Sequence, residues 1–247
     1  MAICDQEPFD ARFEWGPDGA RELGRTSRVV IVVDVLSFST AVDVAVSRGA
    51  IVYPRGWRRR ASPELAKPAG AVTTVRRSAM SHRSPFSLSP RSMIHARRGM
   101  KLVVSSPNGA HVCLAAAESG ATVIAGCLRN ATAVAKAAPA FGAPVSVIAA
   151  GERWRPGDTL RPAFEDLVGA GAILSQLSRL RPSPEARAAA AAFKAVSSDL
   201  RRALAECSSG RELTASGFRF DVAWASKLDV SRTVPILGHG GFAGLER

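Results

Sequence analysis

Acidic and hydroxyl side chains follow a run of apolar residues near the start of the chain. The run RVVIVVDV (28–35) is typical of a strand buried on both faces, and Asp34 lies at its end. A carboxylate at that place is costly unless it is hydrogen-bonded, paired or bound to a metal. The hydroxyls of Ser37, Ser39 and Thr40 follow at a predicted helix start, where backbone amides favour an anion. We therefore interpret Asp34 as a site acid, with a helix cap or turn residue as the alternative.

A second polar loop, SSPNGAH (105–111), also follows a predicted strand and opens a predicted helix. Asn108 and Gly109 favour a turn with positive φ, which exposes backbone amides to a phosphate or a carboxylate. An ordinary Asn-Gly turn is the alternative. His111 is a candidate general acid, although a single histidine near a helix start is more often structural. Asn130, after the next strand, is predicted chiefly to cap its helix.

Charged residues after a further strand are candidates for binding a cation and an anion. They are Glu152, Arg153, Asp158, Glu165 and Asp166. Acids in a first helical turn interact favourably with the helix dipole, which is a structural explanation for Glu165 and Asp166. The same pair also suits Mg²⁺, which takes one or two carboxylates together with water and substrate oxygens. The planar guanidinium of Arg153 could hold a phosphate or a sulfonate.

Strands alternate with helices along the chain, which predicts a sheet with helices on both faces. We predict one α/β domain over residues 1–247, a three-layer α/β/α sandwich with a largely parallel or mixed central sheet. Long helices are predicted over 163–180 and 185–207. Residues 54–100, rich in Arg, Pro and Ser, are predicted to be irregular apart from a strand at 71–75. Since ligands bind beyond the carboxyl ends of strands in such sheets, the polar loops are predicted to form the site.

The net charge of +12 is concentrated in one segment. Between residues 54 and 101 the chain carries ten Arg and two Lys against a single acid, Glu64. This segment could neutralise the phosphates of a polyanion, line a pocket for an acidic substrate, or form a solvated arginine-rich surface. Aromatic residues make up only 6% of the chain, which disfavours a nucleic-acid partner that is bound by base stacking.

Other features of the sequence predict a soluble, cytoplasmic protein without a membrane partner. The four cysteines include no Cys-x-x-Cys pair, which argues against a zinc site and for reduced thiols. The first residues, MAICDQEPFDARFEW, carry acids where a signal peptide needs a basic stretch. No apolar run approaches the ~18 residues of a membrane span. The sequence leaves open whether the chain forms a homo-oligomer.

Taken together, the loops resemble those of the 2-phosphosulfolactate phosphatase family, from about Arg28 to Leu237. The segments that carry the resemblance are DVLSFSTAVDVAVSRGA, SSPNGAH, GCLRNATAVA, AAGERW…LRPAFEDLVGAGAI and SGREL…GF…DVAWASKLDVSRTVPIL. SLSP (87–90) is similar to the family's Asn-Ser-Pro loop, with Leu88 where Asn is usual. The preceding stretch, VRRSAMSHRSP, replaces a Gly-Glu-Arg-Gly-like element. The resemblance implies a three-layer fold and a Mg²⁺-dependent acid phosphatase that converts 2-phosphosulfolactate to sulfolactate and phosphate, a step toward coenzyme M.

The resemblance also implies positions for the functional residues. The family's acidic and polar motif residues fall on Asp34, Ser39, Thr40, Asn108, Gly109, Asn130, Glu165 and Asp166. We expect Asp34, Glu165 and Asp166 to bind Mg²⁺ or act as catalytic acids or bases. The remaining polar residues and Arg153 are expected to hold a small anionic phosphate ester. The alternative is a catalytically degenerate member whose basic segment binds nucleic acid or another polyanion.

Overall fold

The computed structural model describes residues 3–56, 68–238 and 240–245. Its strands are β1 (Ala11–Trp15), β2 (Val29–Val33), β3 (Ile51–Gly56), β4 (Val72–Thr73), β5 (Lys101–Ser106), β6 (Thr122–Gly126), β7 (Val145–Ala149), β8 (Glu152–Arg153), β9 (Leu160–Arg161), β10 (Pro235–Gly238) and β11 (Gly241–Gly244). Its α-helices are α1 (Gly16–Gly24), α2 (Phe38–Ser47), α3 (Gly109–Ala117), α4 (Ala131–Ala137), α5 (Phe164–Leu174), α6 (Pro184–Val196), α7 (Leu200–Glu206), α8 (Ser208–Ala215) and α9 (Arg219–Ala225). Short 3₁₀ turns lie between several of these elements.

The main sheet of the described residues has nine strands in the order β1-β7-β2-β6-β10-β11-β3-β5-β4. The first four strands in this order pair in parallel, and so do β3, β5 and β4. The β10–β11 hairpin joins these two groups through antiparallel pairings with β6 and β3. The sheet is therefore mixed, which is one of the two forms that the sequence predicted.

Strand β2 shows why the sheet is covered on both faces. Val29, Ile31 and Val33 belong to one hydrophobic cluster, which includes residues of α4, α5 and α6. Val30 and Val32 belong to a second cluster, which includes residues of α1, α2 and α3. Because side chains alternate between the faces of a strand, this run of four valines and one isoleucine has to be buried on each side. The α/β/α sandwich and the buried strand are both confirmed.

Strand β1 and helix α1 precede the region to which the sequence assigned elements. The strand reads ARFEW, and its charged residues conceal a buried position: Arg12 is 3% exposed. The Arg12 guanidinium donates hydrogen bonds to the carbonyl oxygens of Phe9 (2.6 Å) and Asp5 (2.9 Å) and to the hydroxyl of Thr26 (2.7 Å). These hydrogen bonds satisfy the buried guanidinium within a strand that pairs with β7. No local sequence pattern predicts them.

Two predicted helices are shorter in the structure than in the sequence analysis. The helix predicted over 163–180 ends at Leu174 as α5. The segment predicted over 185–207 divides into α6 and α7, separated by a 3₁₀ turn at Ser197–Asp199. The side chain of Asp199 accepts a hydrogen bond from the Arg202 amide and starts α7 as a new helix.

The basic segment contains little regular structure where the structure describes it. The strand predicted at 71–75 is the two-residue β4, and 3₁₀ turns occupy Arg77–Ala79 and Ser92–His95. Residues 57–67, which include Arg58, Arg59 and Arg60, lie outside the described residues. All four cysteines are free thiols. None of the helices in the described ranges combines the length and the apolar character needed to span a bilayer.

Candidate active site

Asp34 lies directly after β2 and is held by backbone amides from two separate parts of the chain. Its side chain is buried, at 5% exposure. Oδ1 accepts a hydrogen bond from the Phe38 amide at 3.0 Å, and Oδ2 accepts one from the Gly109 amide at 2.8 Å. The loops after β2 and β5, which are far apart in sequence, therefore meet at this carboxylate.

Gly109 has to be a glycine because its backbone lies against Asp34. A Cβ atom at Gly109 would lie 2.5 Å from Asp34 Oδ2 and 2.6 Å from a ring carbon of Phe38. The positive φ predicted for the Asn108-Gly109 turn is wrong: φ of Asn108 is −110°, and Gly109 is not among the glycines with positive φ. The Gly109 amide still faces an anion, which is the protein's own Asp34 carboxylate. Asn108 points elsewhere: its Nδ2 donates to Glu152 Oε2 at 2.8 Å.

The two hydroxyls expected to hold substrate make backbone hydrogen bonds inside the loop. Ser39 Oγ donates to the Asp34 carbonyl oxygen at 2.8 Å and accepts from the Asp34 amide at 2.9 Å. Thr40 Oγ1 donates to the carbonyl oxygen of Val35 at 2.8 Å. Both residues are fully buried. Their contacts position the loop that carries Asp34.

Asp166 and Glu165 start α5 beside the same loop. Asp166 Oδ1 accepts from the Val35 amide at 2.7 Å, and Oδ2 accepts from the Gly151 amide at 2.9 Å. Asp166 thus joins the loop after β2 to the loop after β7. Glu165 is 2% exposed, and the thiol of Cys207 lies 3.4 Å from its Oε2.

Glu152 completes a group of four acids that we call the carboxylate cluster: Asp34, Glu152, Glu165 and Asp166. Sequence reasoning noted Glu152 in its loop but left it out of the expected site residues. The signal that could have found it is its place, since it follows β7 at the carboxyl end of a strand. The hydrogen bond from Asn108 brings it toward the end of β5.

The electrostatics show that these four carboxyl groups act on one another. Burial, against the hydrogen bonds from the Phe38 and Gly109 amides and together with the charge of Glu165, raises the pKa of Asp34 to about 6. Burial, followed by the charges of Asp34 and Glu165, raises the pKa of Glu152 to about 7. Burial and the charges of Asp34 and Glu165 raise the pKa of Asp166 well above its usual range. The cluster is therefore a place where negative charge is crowded and desolvated.

Two arginines on the β8–β9 hairpin lie on opposite faces of it. Glu152 pairs directly with Arg161, and Arg153 pairs with Leu160. Directly opposed residues of an antiparallel pair share a face, and successive residues alternate, so Arg161 accompanies Glu152 while Arg153 does not. Arg153 Nη1 donates to the Asp158 carbonyl oxygen at 2.8 Å. The charge of Arg161 opposes the rise in the pKa of Glu152.

Asn130 sits at the end of β6 and satisfies its amide through the backbone. Its Oδ1 accepts from the Cys127 amide at 2.8 Å, and its Nδ2 donates to the carbonyl oxygens of Ala125 (3.3 Å) and Thr233 (3.1 Å). Asn130 directly precedes α4, but its side chain makes no capping hydrogen bond to that helix, so the predicted cap is wrong. Its side chain instead closes the preceding 3₁₀ turn and reaches the segment before β10. The structure does not bring Asn130 to the carboxylate cluster by any of these hydrogen bonds.

The carboxylate oxygens of the cluster are the kind of ligand that Mg²⁺ takes in proteins. Within residues 3–56, 68–238 and 240–245, no three His, Cys, Asp or Glu side chains are arranged to hold a metal ion by themselves. Mg²⁺ usually keeps several waters and needs only one or two carboxylates. Asp34 and Glu165 are both buried and act on each other electrostatically. Their chemistry fits a magnesium ion that shares its remaining positions with water and substrate oxygens.

Comparisons with known proteins show which proteins this chain is similar to. The family model for 2-phosphosulpholactate phosphatase matches residues 17–240. A protein of Carboxydothermus hydrogenoformans named "Probable 2-phosphosulfolactate phosphatase" is 28% identical over 211 residues, which are 84% of this chain and 85% of that protein. A Thermus thermophilus protein of the same name is 29% identical over 217 residues, 85% of this chain and 87% of that protein.

The fold, the acid-rich strand ends and these similarities define the class of protein, which is a phosphoric monoester hydrolase. More particularly, the chain belongs to the 2-phosphosulfolactate phosphatase family. The resemblance stated from the sequence loops is confirmed.

Proposed function

We propose that this protein hydrolyses a small anionic phosphate monoester such as 2-phosphosulfolactate and depends on Mg²⁺. The observation that carries the proposal is the carboxylate cluster, four desolvated acids gathered from the ends of β2 and β7 and the start of α5. With that substrate the products are sulfolactate and phosphate, formed in the cytoplasm as a step toward coenzyme M.

Asp34 and Asp166 have the same pattern of hydrogen bonds. Each oxygen of Asp34 accepts one backbone amide, and so does each oxygen of Asp166, so both residues also hold two loops together. Two of the three acids Asp34, Glu165 and Asp166 would hold the Mg²⁺ ion, since Mg²⁺ needs only one or two carboxylates. When bound, the ion supplies positive charge that stabilises the charge developing on the phosphoryl oxygens.

Glu152 is suited to proton transfer. A carboxyl group with a pKa of about 7 holds its proton for part of the time at neutral pH. Hydrolysis breaks the bond between phosphorus and the ester oxygen, adds the oxygen of water to phosphorus, and leaves a proton on the alcohol. Glu152 would donate that proton to the departing alcohol oxygen, and Asn108 keeps its carboxyl group in place through the 2.8 Å hydrogen bond.

A second anionic group of the substrate would be bound by Arg161 in place of Arg153. Arg161 lies on the same face of the β8–β9 hairpin as Glu152, and its guanidinium stacks over the ring of Trp154 at 5.7 Å. Arg153 lies on the other face and bonds to Asp158 within its own loop. The planar guanidinium of Arg161 can make paired hydrogen bonds to a carboxylate or sulfonate.

Removal of the metal is expected to abolish turnover. Treatment with a chelator should stop hydrolysis of 2-phosphosulfolactate or of an aryl phosphate, because the charge in the cluster is then unbalanced, and added Mg²⁺ should restore it. Release of phosphate is the measurement. Full turnover in excess chelator would contradict the metal assignment. No turnover with Mg²⁺, together with salt-sensitive binding of a polyanion, would favour the degenerate binder instead.

The raised pKa of Glu152 predicts how stability depends on pH. The folded protein keeps this proton up to about pH 7, while the unfolded chain releases it near the ordinary pKa of about 4.5. The folded state therefore binds more protons in that interval, so the free energy of unfolding falls as the pH rises through it. Above about pH 7 the loss is complete.

Glu152→Gln should reduce this fall in stability and lower turnover. Glutamine carries no charge and can still accept the Asn108 hydrogen bond through its carbonyl oxygen. In metal-free buffer at about pH 8 we expect its melting temperature to exceed that of the wild type, with a smaller difference at about pH 5. Exposed Glu212→Gln is the matched control and should follow the wild type. Equal pH profiles for Glu152→Gln and wild type would contradict the assignment.

A further inference from the structure

Arg77 lies in the basic segment and reaches the loop that carries Asp34. It begins the 3₁₀ turn Arg77–Ala79, and its side chain is 18% exposed. Nη2 donates a hydrogen bond to Ser37 Oγ at 2.7 Å and approaches the Leu88 carbonyl oxygen at 3.5 Å. Ser37 is three residues after Asp34, and the next residue, Phe38, donates its amide to the Asp34 carboxylate.

A buried carboxylate fixes the other side of this guanidinium. Asp221, on α9, is 2% exposed, and its Oδ2 accepts a hydrogen bond from Arg77 Nε at 3.2 Å. Its Oδ1 accepts from Ser89 Oγ at 2.6 Å, so both oxygens have partners. The ring of Phe218 lies 5.4 Å from the guanidinium carbon. Contacts from three parts of the chain thus hold the cation in one position.

The third nitrogen of the guanidinium is left for a ligand. Among the residues that the structure describes, Arg77 Nη1 makes no hydrogen bond. Nη1 is not a buried atom without a partner either, because in those same residues Trp224 Nε1 is the one buried side-chain nitrogen or oxygen of that kind. Arg77 Nη1 is therefore open to solvent. The charge of Arg77 also reaches Asp34, whose pKa it lowers against the larger effect of burial. Arg77 is therefore a cation held in place beside the carboxylate cluster, and its Nη1 group is a hydrogen-bond donor without a partner among the described residues.

We propose that Arg77 binds the phosphoryl oxygens of the substrate through Nη1, with Asp221 and Ser37 holding its guanidinium in place. This inference rests on the proposed function, since it names the residue that receives the phosphate at that site. A phosphate dianion next to four carboxylates is repelled unless positive charge faces it. A guanidinium that is already oriented stabilises that charge without reorganisation when the reaction occurs.

The test compares Arg77→Gln and Arg77→Lys with Arg83→Gln, which removes an exposed charge from the same basic segment. The measurements are kcat, KM and the inhibition constant of inorganic phosphate, with the melting temperature of each variant. We expect Arg77→Gln to raise the inhibition constant at least about tenfold and to lower kcat/KM about a hundredfold or more. Arg77→Lys should show a smaller change in both, because lysine keeps the charge but lacks the fork. Arg83→Gln should match the wild type.

The outcomes separate this inference from the proposed function. If the wild type hydrolyses phosphate esters and both Arg77 variants keep its phosphate inhibition constant, Arg77 does not bind the phosphate, whatever their melting temperatures. If Arg77→Gln fails to fold, Arg77→Lys decides: a raised inhibition constant supports the inference and an unchanged one overturns it. If the wild type shows no turnover, the proposed function fails, and calorimetric titration of wild type and Arg77→Lys with inorganic phosphate still tests Arg77 directly.

Discussion

Asp34→Asn is expected to lower turnover by about a hundredfold or more while the protein stays folded. The change removes a charge that the proposed reaction uses beside the metal and the phosphate. Each Asp34 oxygen accepts a backbone amide, from Phe38 and from Gly109. An asparagine NH₂ group cannot accept, so one amide loses its partner, at about 1–3 kcal/mol. Relief of the repulsion from Glu165 offsets part of this loss. The rate and the melting temperature should both be measured.

A second buried aspartate is the matched control for Asp34. Asp43 is fully buried in α2, but its Oδ2 accepts from Arg129 Nε at 2.9 Å and its Oδ1 from Ser231 Oγ at 2.5 Å. Asp43→Asn breaks a buried ion pair and should lower the free energy of unfolding by about 3–5 kcal/mol. We expect Asp34→Asn to change mainly the rate and Asp43→Asn mainly the stability. A near-normal Mg²⁺-dependent rate in Asp34→Asn would remove Asp34 from the site.

Gly109→Ala should disturb the same carboxylate without changing any charge. The new methyl group would lie 2.5 Å from Asp34 Oδ2 and 2.8 Å from Asp34 Cβ, in a buried place where neither neighbour has room. Overpacking of this kind costs about 1–3 kcal/mol and displaces the side chains it meets. Because Asp34 has to move, we expect kcat to fall by about tenfold to a hundredfold. The measurements are kcat and the melting temperature.

Gly238→Ala is the control for this substitution. A Cβ atom at Gly238, in β10, would meet no heavy atom within 4 Å, and its backbone is not in the left-handed region. We expect it to leave both the rate and the melting temperature close to those of the wild type. Gly109→Ala with a wild-type rate and stability would show that the Asp34 side chain does not need its observed position.

The structure changes one expectation about Asp34 itself. The sequence predicts a site acid whose hydrogen bonds resemble those of a helix cap, and an asparagine caps a helix about as well as an aspartate. Asp34→Asn is then expected to keep the cap-like hydrogen bonds and to raise stability by relieving carboxylate repulsion around an empty metal site. The second amide comes from Gly109, 75 positions away in the chain, and it requires two accepting oxygens. The expected gain in stability is therefore withdrawn, while the expected loss of turnover stays.

The sequence by itself determined the layers of the fold and the loops that carry the candidate site. A β-branched run such as Val29–Val33 has no polar side to present to water, so it has to be a strand covered on both faces. Polar residues placed directly after such runs then lie at strand ends. Asp34, Gly109, Glu165 and Asp166 could be chosen in this way because each stands in a local pattern of strand, turn and helix start.

Only the tertiary structure decided which polar groups enter the carboxylate cluster and which hold the loops. Ser39, Thr40 and Asn130 occupy the same kind of position in the sequence as Asp34, yet their hydrogen bonds go to the backbone. Arg77 and Glu152 gain their positions through contacts with Asp221 and Asn108, which are distant in the chain. Local sequence patterns indicate which side chains of a segment face water and which hydrogen bonds its own backbone makes. They do not indicate which residue, distant in the chain, makes the hydrogen bond to a buried polar atom, because that pairing forms only in the tertiary structure.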